Sequence, residues 1–390
     1  MNYHLQLALV TLTLVTLSCS NKHQSKQGDD TETITFDMTS TLSGDPVYID
    51  DLLCNLSFVH LEDSKASYIK EASRIRVHKN RIYIFDQVQN KLFIFKNNGD
   101  FVSQAIIRGK GPGEVAIAAD FDIDIFNDLL LILELSKKSL IVYDLDGKYQ
   151  RTIQLDFQSQ LFACLNDETY AFYIGFFDQS YNNLFLTSRQ GKHKYELFEF
   201  PKDIIPLNFG FTGFVTRNQS GILYNAACSN EIFQVSSIGG SILKYKISFG
   251  RNDWPESKKY DFNDFMQRIS QFDVDFLLNK FEENSEALIF RYRSGHQDYR
   301  AFYLKNLKRV YHIKSNLIND LFYNVLSNPR GVSDEDLFIS VMEPEIVRDK
   351  IISEEKSGKS FKMNPNLKEE ILASNDSSNL ILLFYSLGTK

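Results

Sequence analysis

Four groups of residues in this sequence could do chemistry. The first is Ile107-Arg108-Gly109-Lys110-Gly111-Pro112-Gly113-Glu114. Closely spaced glycines let backbone N–H groups converge on an anion, and Arg108 and Lys110 would make such a rim positive. It is not a Walker A loop, because no GK[ST] follows and the next residues read as a strand. The same glycines permit turns with positive φ, so Gly109, Gly111 and Gly113, with Gly99 of an upstream Asn-Gly pair, are read first as structural turns. The second group is Asp86, Glu134 and Asp178, each placed at the end of an apolar run before a polar turn. Such acids can hydrogen-bond the turn, which is the first expectation, or present carboxylates on one face to a sugar or a cation. The third is Tyr292, His296 and Tyr299, which fall in a polar segment and are expected to form an exposed recognition patch. The fourth is the histidines beyond the first thirty residues: His60, His78, His193, His296 and His312. They contain no HxH or HxxxH pair and share no repeat position, so neither a metal nor a cofactor is expected. No Ser-His-Asp spacing or G-x-S-x-G elbow stands out either, and no catalytic residue is assigned.

The elements that must carry these residues repeat. Arg81 to Phe101 reads RIYIFDQVQNKLFIFKNNGDF: two apolar runs around a polar turn, then a tight Asn98-Gly99 turn. Similar copies open at residues 129, 173 and 221, steps of 48, 44 and 48 residues. Glu134 and Asp178 stand at the place of Asp86, whereas Ala226 has lost the acid; Gly147, Gly191 and Gly239 keep the turn glycine. A fifth, weaker copy runs from Phe290 to Tyr311, its turn reduced to Asn306-Leu307-Lys308. Strand repeats of this length mark a β-propeller, in which each four-stranded blade is covered on both faces by its neighbours. That also accounts for runs that are apolar almost continuously. A two-sheet sandwich is the competing arrangement. Asp336–Val341 supplies a sixth-blade strand, and Asn379–Leu387 and Ser57–Leu61 are expected to close the ring with strands from opposite ends of the chain. Strands are expected at 34–38 and 120–125 as well. Tyr260–Lys280 and Glu343–Ser374 read as helical insertions. The expected fold is therefore an all-β, six-bladed β-propeller over residues 34–390, with helical insertions in the later blades.

Composition agrees. The 390 residues include 32 Phe and 19 Tyr against one Trp, and aromatic side chains favour pleated, half-buried surfaces. With 43 Lys plus Arg against 50 Asp plus Glu, the net charge of −7 argues against a broad nucleic-acid surface. Cys54, Cys164 and Cys228 share no short spacing that would suit a zinc knuckle or a redox pair. One disulfide is open to them in an oxidising compartment, but their strand-like surroundings favour three buried thiols.

The chain also begins with an address. Leu5–Leu17 is an apolar run too short for a membrane span and suited to the core of a signal peptide. Ser18-Cys19 follows, which resembles the lipobox of bacterial lipoproteins and implies lipidation of Cys19. No Lys or Arg precedes the run, and Thr16 stands where that pattern prefers Leu or Val. A plain secretory signal is the alternative. Residues 20–33 are expected to form a flexible tether.

A wider resemblance lies in the words GKGPGE, IYIFD, FVHLED and NLILLFY. The glycine-rich loop before a new blade resembles NHL-type propellers, and the set as a whole resembles the six-bladed β-propeller lipoproteins of Bacteroidetes, over about Asp50 to Leu387. The resemblance implies the fold and a place in the cell envelope, lipid-anchored at the periplasmic face of the outer membrane. NHL-like amidating lyases hold zinc with propeller histidines, a pattern absent here. The functional expectation is a tethered, non-enzymatic binding module for a peptide, glycan or protein partner. Its rim would draw on Arg108, Lys110, Asp86, Glu134, Asp178, Tyr292, His296 and Tyr299. The alternative is a lyase or glycan-acting hydrolase using the axial pocket.

Overall fold

A computed structural model describes residues 33–41, 49–174, 182–199, 214–218, 220–225, 229–253, 267, 271, 274–314, 323–358 and 363–388. Strands dominate them. β1 (Ile34–Asp37) and β2 (Leu53–His60) precede a first antiparallel sheet of β3 (Arg74–His78), β4 (Arg81–Asp86), β5 (Lys91–Lys96) and β6 (Phe101–Gln104). A short parallel pair, β7 (Ile107–Arg108) and β8 (Glu114–Val115), leads to the second sheet. That sheet holds β9 (Ala118–Asp124), β10 (Leu129–Glu134), β11 (Ser139–Asp144) and β12 (Tyr149–Gln154). The third holds β13 (Leu161–Cys164), β14 (Thr169–Tyr173), β15 (Asn182–Ser188) and β16 (His193–Glu199). The fourth holds β17 (Phe214–Asn218), β18 (Gly221–Asn225), β19 (Glu231–Val235) and β20 (Ser241–Ser248), with β1 added in parallel outside β20. The fifth holds β21 (Phe276–Glu283), β22 (Ala287–Ser294), β23 (Gln297–Leu304) and β24 (Arg309–Lys314).

The sixth sheet joins the two ends of the chain. β25 (Gly331–Val332), β26 (Phe338–Met342) and β27 (Ile381–Leu387) come from the C-terminal part, and β2 pairs outside β27 with Leu53 opposite Leu387 and His60 opposite Ile381. The first strands of successive sheets neighbour one another in a ring: β3, β9, β13, β17, β21, β25 and back to β3. At the closing step the Ile75 N–H donates to the Arg330 carbonyl at 3.1 Å. A Cβ on Gly331 would lie 2.4 Å from the Ile75 carbonyl oxygen, so only glycine lets β25 sit this close to β3. The fold is a six-bladed β-propeller, closed by strands from both ends as the sequence pattern predicts.

Six apolar clusters fill the six gaps between blades. Leu130 and Ile132 of β10 pack with Tyr83, Phe85, Leu92 and Ile94 of the first blade. Leu131 and Leu133 turn the other way, onto Phe162, Cys164, Tyr170 and Phe172 of the third. Alternate side chains of one strand thus serve two interfaces, so both faces must be apolar. Each such side chain contributes roughly 1.5–3 kcal/mol by leaving water.

Two expectations need correction here. Tyr260–Lys280 does not end as a helix: Phe276 begins β21, because Phe276 and Leu277 are buried in the blade packing. The earlier part of that stretch lies outside the described residues except 267, 271, 274 and 275. Cys54 is exposed, since β2 is the outer edge of the closing blade; Cys164 is a buried free thiol, and Cys228 lies outside the described residues. The later insertion is helical as expected, with α1 (Pro344–Lys356) and α2 (Pro365–Ala373) between β26 and β27. Val347 and Ile351, and Leu367 and Ile371, lie four residues apart on each helix and pack together against the gap between the fifth and sixth blades. Among the described residues no helix is long and apolar enough to cross a membrane.

Candidate functional site

The acids that recur before the polar turns are spent inside the blades. Asp86 is fully buried and accepts from the backbone N–H of Lys70 (2.7 Å), Glu71 (3.2 Å) and Gln89 (2.8 Å) and from Gln89 Nε2 (2.6 Å). Glu134, also fully buried, accepts from Ile117 N (3.1 Å), Lys137 N (2.5 Å) and Ser136 Oγ (2.7 Å). Neither can stand on a rim, because each pins a turn to the loop that enters its blade. Asp178 lies outside the described residues.

The glycine-rich loop turns its donors inward too. Gly109 N–H donates to the Val115 carbonyl, Glu114 N–H to the Gly111 carbonyl and Gly111 N–H to Glu114 Oε2. Lys137 Nζ clamps the Gly111 and Glu114 carbonyls at 3.3 and 3.1 Å. A Cβ at Gly109 would fall 2.0 Å from Glu114 Oε2. Gly113 has φ +72° with the Tyr149 ring against it, and Gly99 has φ +93° beside the His60 carbonyl. Arg108 and Lys110 are exposed. Tyr292 and Tyr299 are not: they are 0% and 8% exposed and stack with centroids 5.1 Å apart in the core between the fourth and fifth blades. Only His296 of that trio is at the surface. The polar residues around the tyrosines are the opposite face of β22 and β23, which hid the burial.

What the structure does bring together lies on the axis. Arg74 and Arg76 of β3 meet Asp120 and Asp122 of β9, each pair 2.7 Å apart and almost wholly buried. Arg74 Nη1 also donates to the Phe121 and Phe162 carbonyls, while Asp120 and Asp122 accept from Phe162 N (3.0 Å) and Cys164 N (2.9 Å) of β13. Arg189 reaches Asp124 at 3.2 Å, and Arg217 Nη1 donates to the Ile123 carbonyl at 3.0 Å. Burial pushes Asp120 up to about 6, against the pull of Arg74. Burial would raise Asp122 as well, but Arg76, Arg217 and Arg74 outweigh it and hold the carboxyl at about 2. Glu282 of β21, buried and accepting from Thr216 Oγ1 at 3.0 Å, is raised by burial, with Arg76 opposing.

At the end where β3 begins, the axis opens into a shallow pocket whose empty space, counted out into open solvent, is about 450 Å³. Ser73 and Arg74 line it from the first blade, Lys280 to Glu282 and Arg291 from the fifth, and Ser327 to Arg330 from the segment entering β25. β21 carries a bulge here: Leu278 faces Arg291 and Phe281 faces Phe290, so Asn279 and Lys280 are extra on their strand. Bulges re-aim side chains and are over-represented beside active sites. The Lys280 side chain keeps solvent contact, yet the surrounding protein lowers its pKa to about 8; burial is the main cause, then Arg330 and Arg291. Arg330 is lowered by burial, with Glu71 opposing. Among the described residues no group of three or more His, Cys, Asp and Glu could hold a metal ion.

None of these axial residues figured among the rim candidates. The available signal was the alternation of charge in RIRVH and DFDID, period two within otherwise apolar strands, with Arg74–Asp120 and Arg76–Asp122 both 46 residues apart, one blade step. Residues 33–386 match the family described as a domain of unknown function, DUF4934, and the chain belongs to that family. It is similar in structure to a Bacteroides fragilis protein named "Putative exported protein", with a TM-score of 0.73 at 18% identity, over 92% of this chain and 100% of that one. A DUF4221 family member from Bacteroides vulgatus follows at TM-score 0.53 and 9% identity, over 87% of this chain and 98% of that one. At such identities these likenesses establish the fold alone. No curated protein matches.

Proposed function

We propose that this member of the DUF4934 family is an exported propeller, tethered to the cell envelope through Cys19, that binds a partner at its axial mouth without transforming it. The carrying observation is the mouth itself, a concave opening between the first, fifth and closing blades where a strand bulge places Lys280. Concave openings with a few convergent polar groups are the usual place for a ligand. The envelope address rests on the apolar run before Cys19; the Bacteroides fragilis relative in structure carries an export description of its own. An envelope lipoprotein of the periplasmic face is the finer reading. The partner class is a peptide, glycan or protein surface, and no role for nucleic acid is proposed.

The enzyme reading, a lyase or glycan-acting hydrolase, has one observation in its favour. Glu282 lies in the mouth with a raised pKa, as a general acid would. Screening the mature chain on glycan and peptide arrays, beside an Asn328→Trp variant that plugs the mouth, tests both. Hits lost in the plugged variant support binding there, hits kept by it remove the mouth from the function, and conversion of a hit to product would establish the enzyme. For the tether, Cys19→Ala should abolish detergent partitioning; unchanged partitioning would end the anchor reading.

A further inference from the structure

We infer that the axial mouth is an oxyanion site in which Lys280 and Arg330 hold the carboxylate, sulfate or phosphate group of an acidic ligand that enters end-on. The inference rests on the mouth being the binding site and names what it takes.

The two side chains come from different blades, Lys280 from the bulge of β21 and Arg330 from the residue before β25. Neither makes an ion pair or side-chain hydrogen bond with the described residues, whereas Arg74 and Arg76 in the same channel each lie 2.7 Å from a carboxylate. Arg291, beside them, keeps Asp298 at 3.6 Å. Among the acids nearby, Asp120 and Asp122 are taken by arginines and Glu282 accepts from Thr216, while Glu71, exposed at the rim, attracts both cations but forms an ion pair with neither. Burial shifts both groups down: it lowers Lys280 first, with Arg330 and Arg291 adding repulsion, and it lowers Arg330 against the attraction of Glu71. Such an arrangement adds nothing to stability, because cations that are partly desolvated and have no ion-pair partner carry a cost. An oxyanion would answer both needs, since a guanidinium offers a planar fork to carboxylate, sulfate or phosphate and an ammonium adds a point charge. The pocket is small and opens to solvent, so the rest of any ligand larger than one acidic group would lie outside.

The test measures binding by calorimetry and thermal shift at pH 7 and constant ionic strength, with sulfate, inorganic phosphate, D-glucuronate and oligogalacturonate against chloride. Saturable binding is expected, and Lys280→Met and Arg330→Gln should each weaken it at least tenfold while melting no lower than the parent. Tighter binding of oligogalacturonate than of the free ions would identify the acid end of a glycan. Equal binding would identify a small free acid, and both outcomes support the site. A parent chain with no saturable response to any of the four, or a response unchanged when Lys280→Met and Arg330→Gln are combined, overturns the inference. The first of these needs no variant to fold. Loss of array hits on plugging the mouth, with no oxyanion response, would leave the mouth as the binding site and refute only its chemistry.

Discussion

The two walls of the axial channel handle charge in opposite ways. On the side of the first three blades, Arg74 and Arg76 meet Asp120 and Asp122, and these two aspartates also take backbone N–H groups from β13. On the side of the fifth and closing blades, Lys280 and Arg330 gather with Arg291 around one opening, and burial lowers the first two. A matched wall of this kind locks blades in register, because removing one member leaves a buried charge alone. On the second wall Arg291 keeps Asp298, and only Lys280 and Arg330 lack an ion-pair partner among the described residues, which costs the folded chain and suits the proposed oxyanion. Position alone therefore does not mark an axial charge as a binding group; Lys280 and Arg330 stand out because neither has an ion-pair partner among the described residues.

The largest expected effect comes from breaking the ring both walls share. Deleting residues 379–390 removes β27, which pairs with β26 on one side and β2 on the other, and leaves two apolar strand edges. Aggregation or loss of cooperative unfolding is expected by calorimetry and light scattering; a soluble truncation with full-length stability would show that closure lies elsewhere. Next is the matched wall. Asp122→Ala strands Arg76 in the channel and should cost about 3–5 kcal/mol in denaturant unfolding, the range for a broken buried pair. Pairing it with Arg76→Met should recover a large part of that loss, and no recovery would mean the pair is not the unit. Smaller again is Gly331→Ala at the seam between the walls. Its Cβ would press on the Ile75 carbonyl, and overpacking of this kind costs about 1–3 kcal/mol. A melting temperature equal to the parent's would show that β25 can draw away from β3 without penalty.

How much of this could be read in the sequence differs between the same regions. Apolar runs such as LLLILE declare themselves because both faces of a blade strand must be dry, and the glycines after the second runs mark turns with positive φ at Gly99, Gly147, Gly191 and Gly239. The closing pair of β2 and β27 was legible for a related reason: each is an apolar strand at an end of the chain with no partner nearby. The tyrosines of the fifth blade were not, because Arg291, Arg293 and Asp298 alternate with them and make a half-buried hairpin look like surface. Nor was the mouth. Lys280 is placed by a bulge that has no residue signature, and Arg330 by a seam whose two sides are more than two hundred residues apart. The acids expected on a rim had the right periodicity and the wrong direction, since a carboxylate at a strand end finds N–H groups of the adjacent loop before it finds solvent.

The smallest effect is one of pH, and its sign separates the walls. Asp122, held at about 2 against an ordinary 3.8, contributes stability that is present above about pH 4 and lost as pH falls toward 2. Lys280, at about 8 against an ordinary 10.5, does the reverse: its charged form is penalised in the folded chain, so its contribution improves as pH rises from 8 to 10.5. The charges facing it are Arg330, Arg291 and Arg74, with Glu71 and Glu282 opposing, and the cations prevail. Lys280→Met should therefore be at least as stable as the parent at pH 7, and that advantage should vanish by about pH 10.5. Denaturant unfolding of both chains across pH 6–10.5 checks it. A saturating oxyanion should restore the parent's standing at pH 7 by supplying the counter-charge the wall lacks. A variant less stable than the parent at pH 7, with no ligand present, would mean that Lys280 already has a partner and that the two walls are alike.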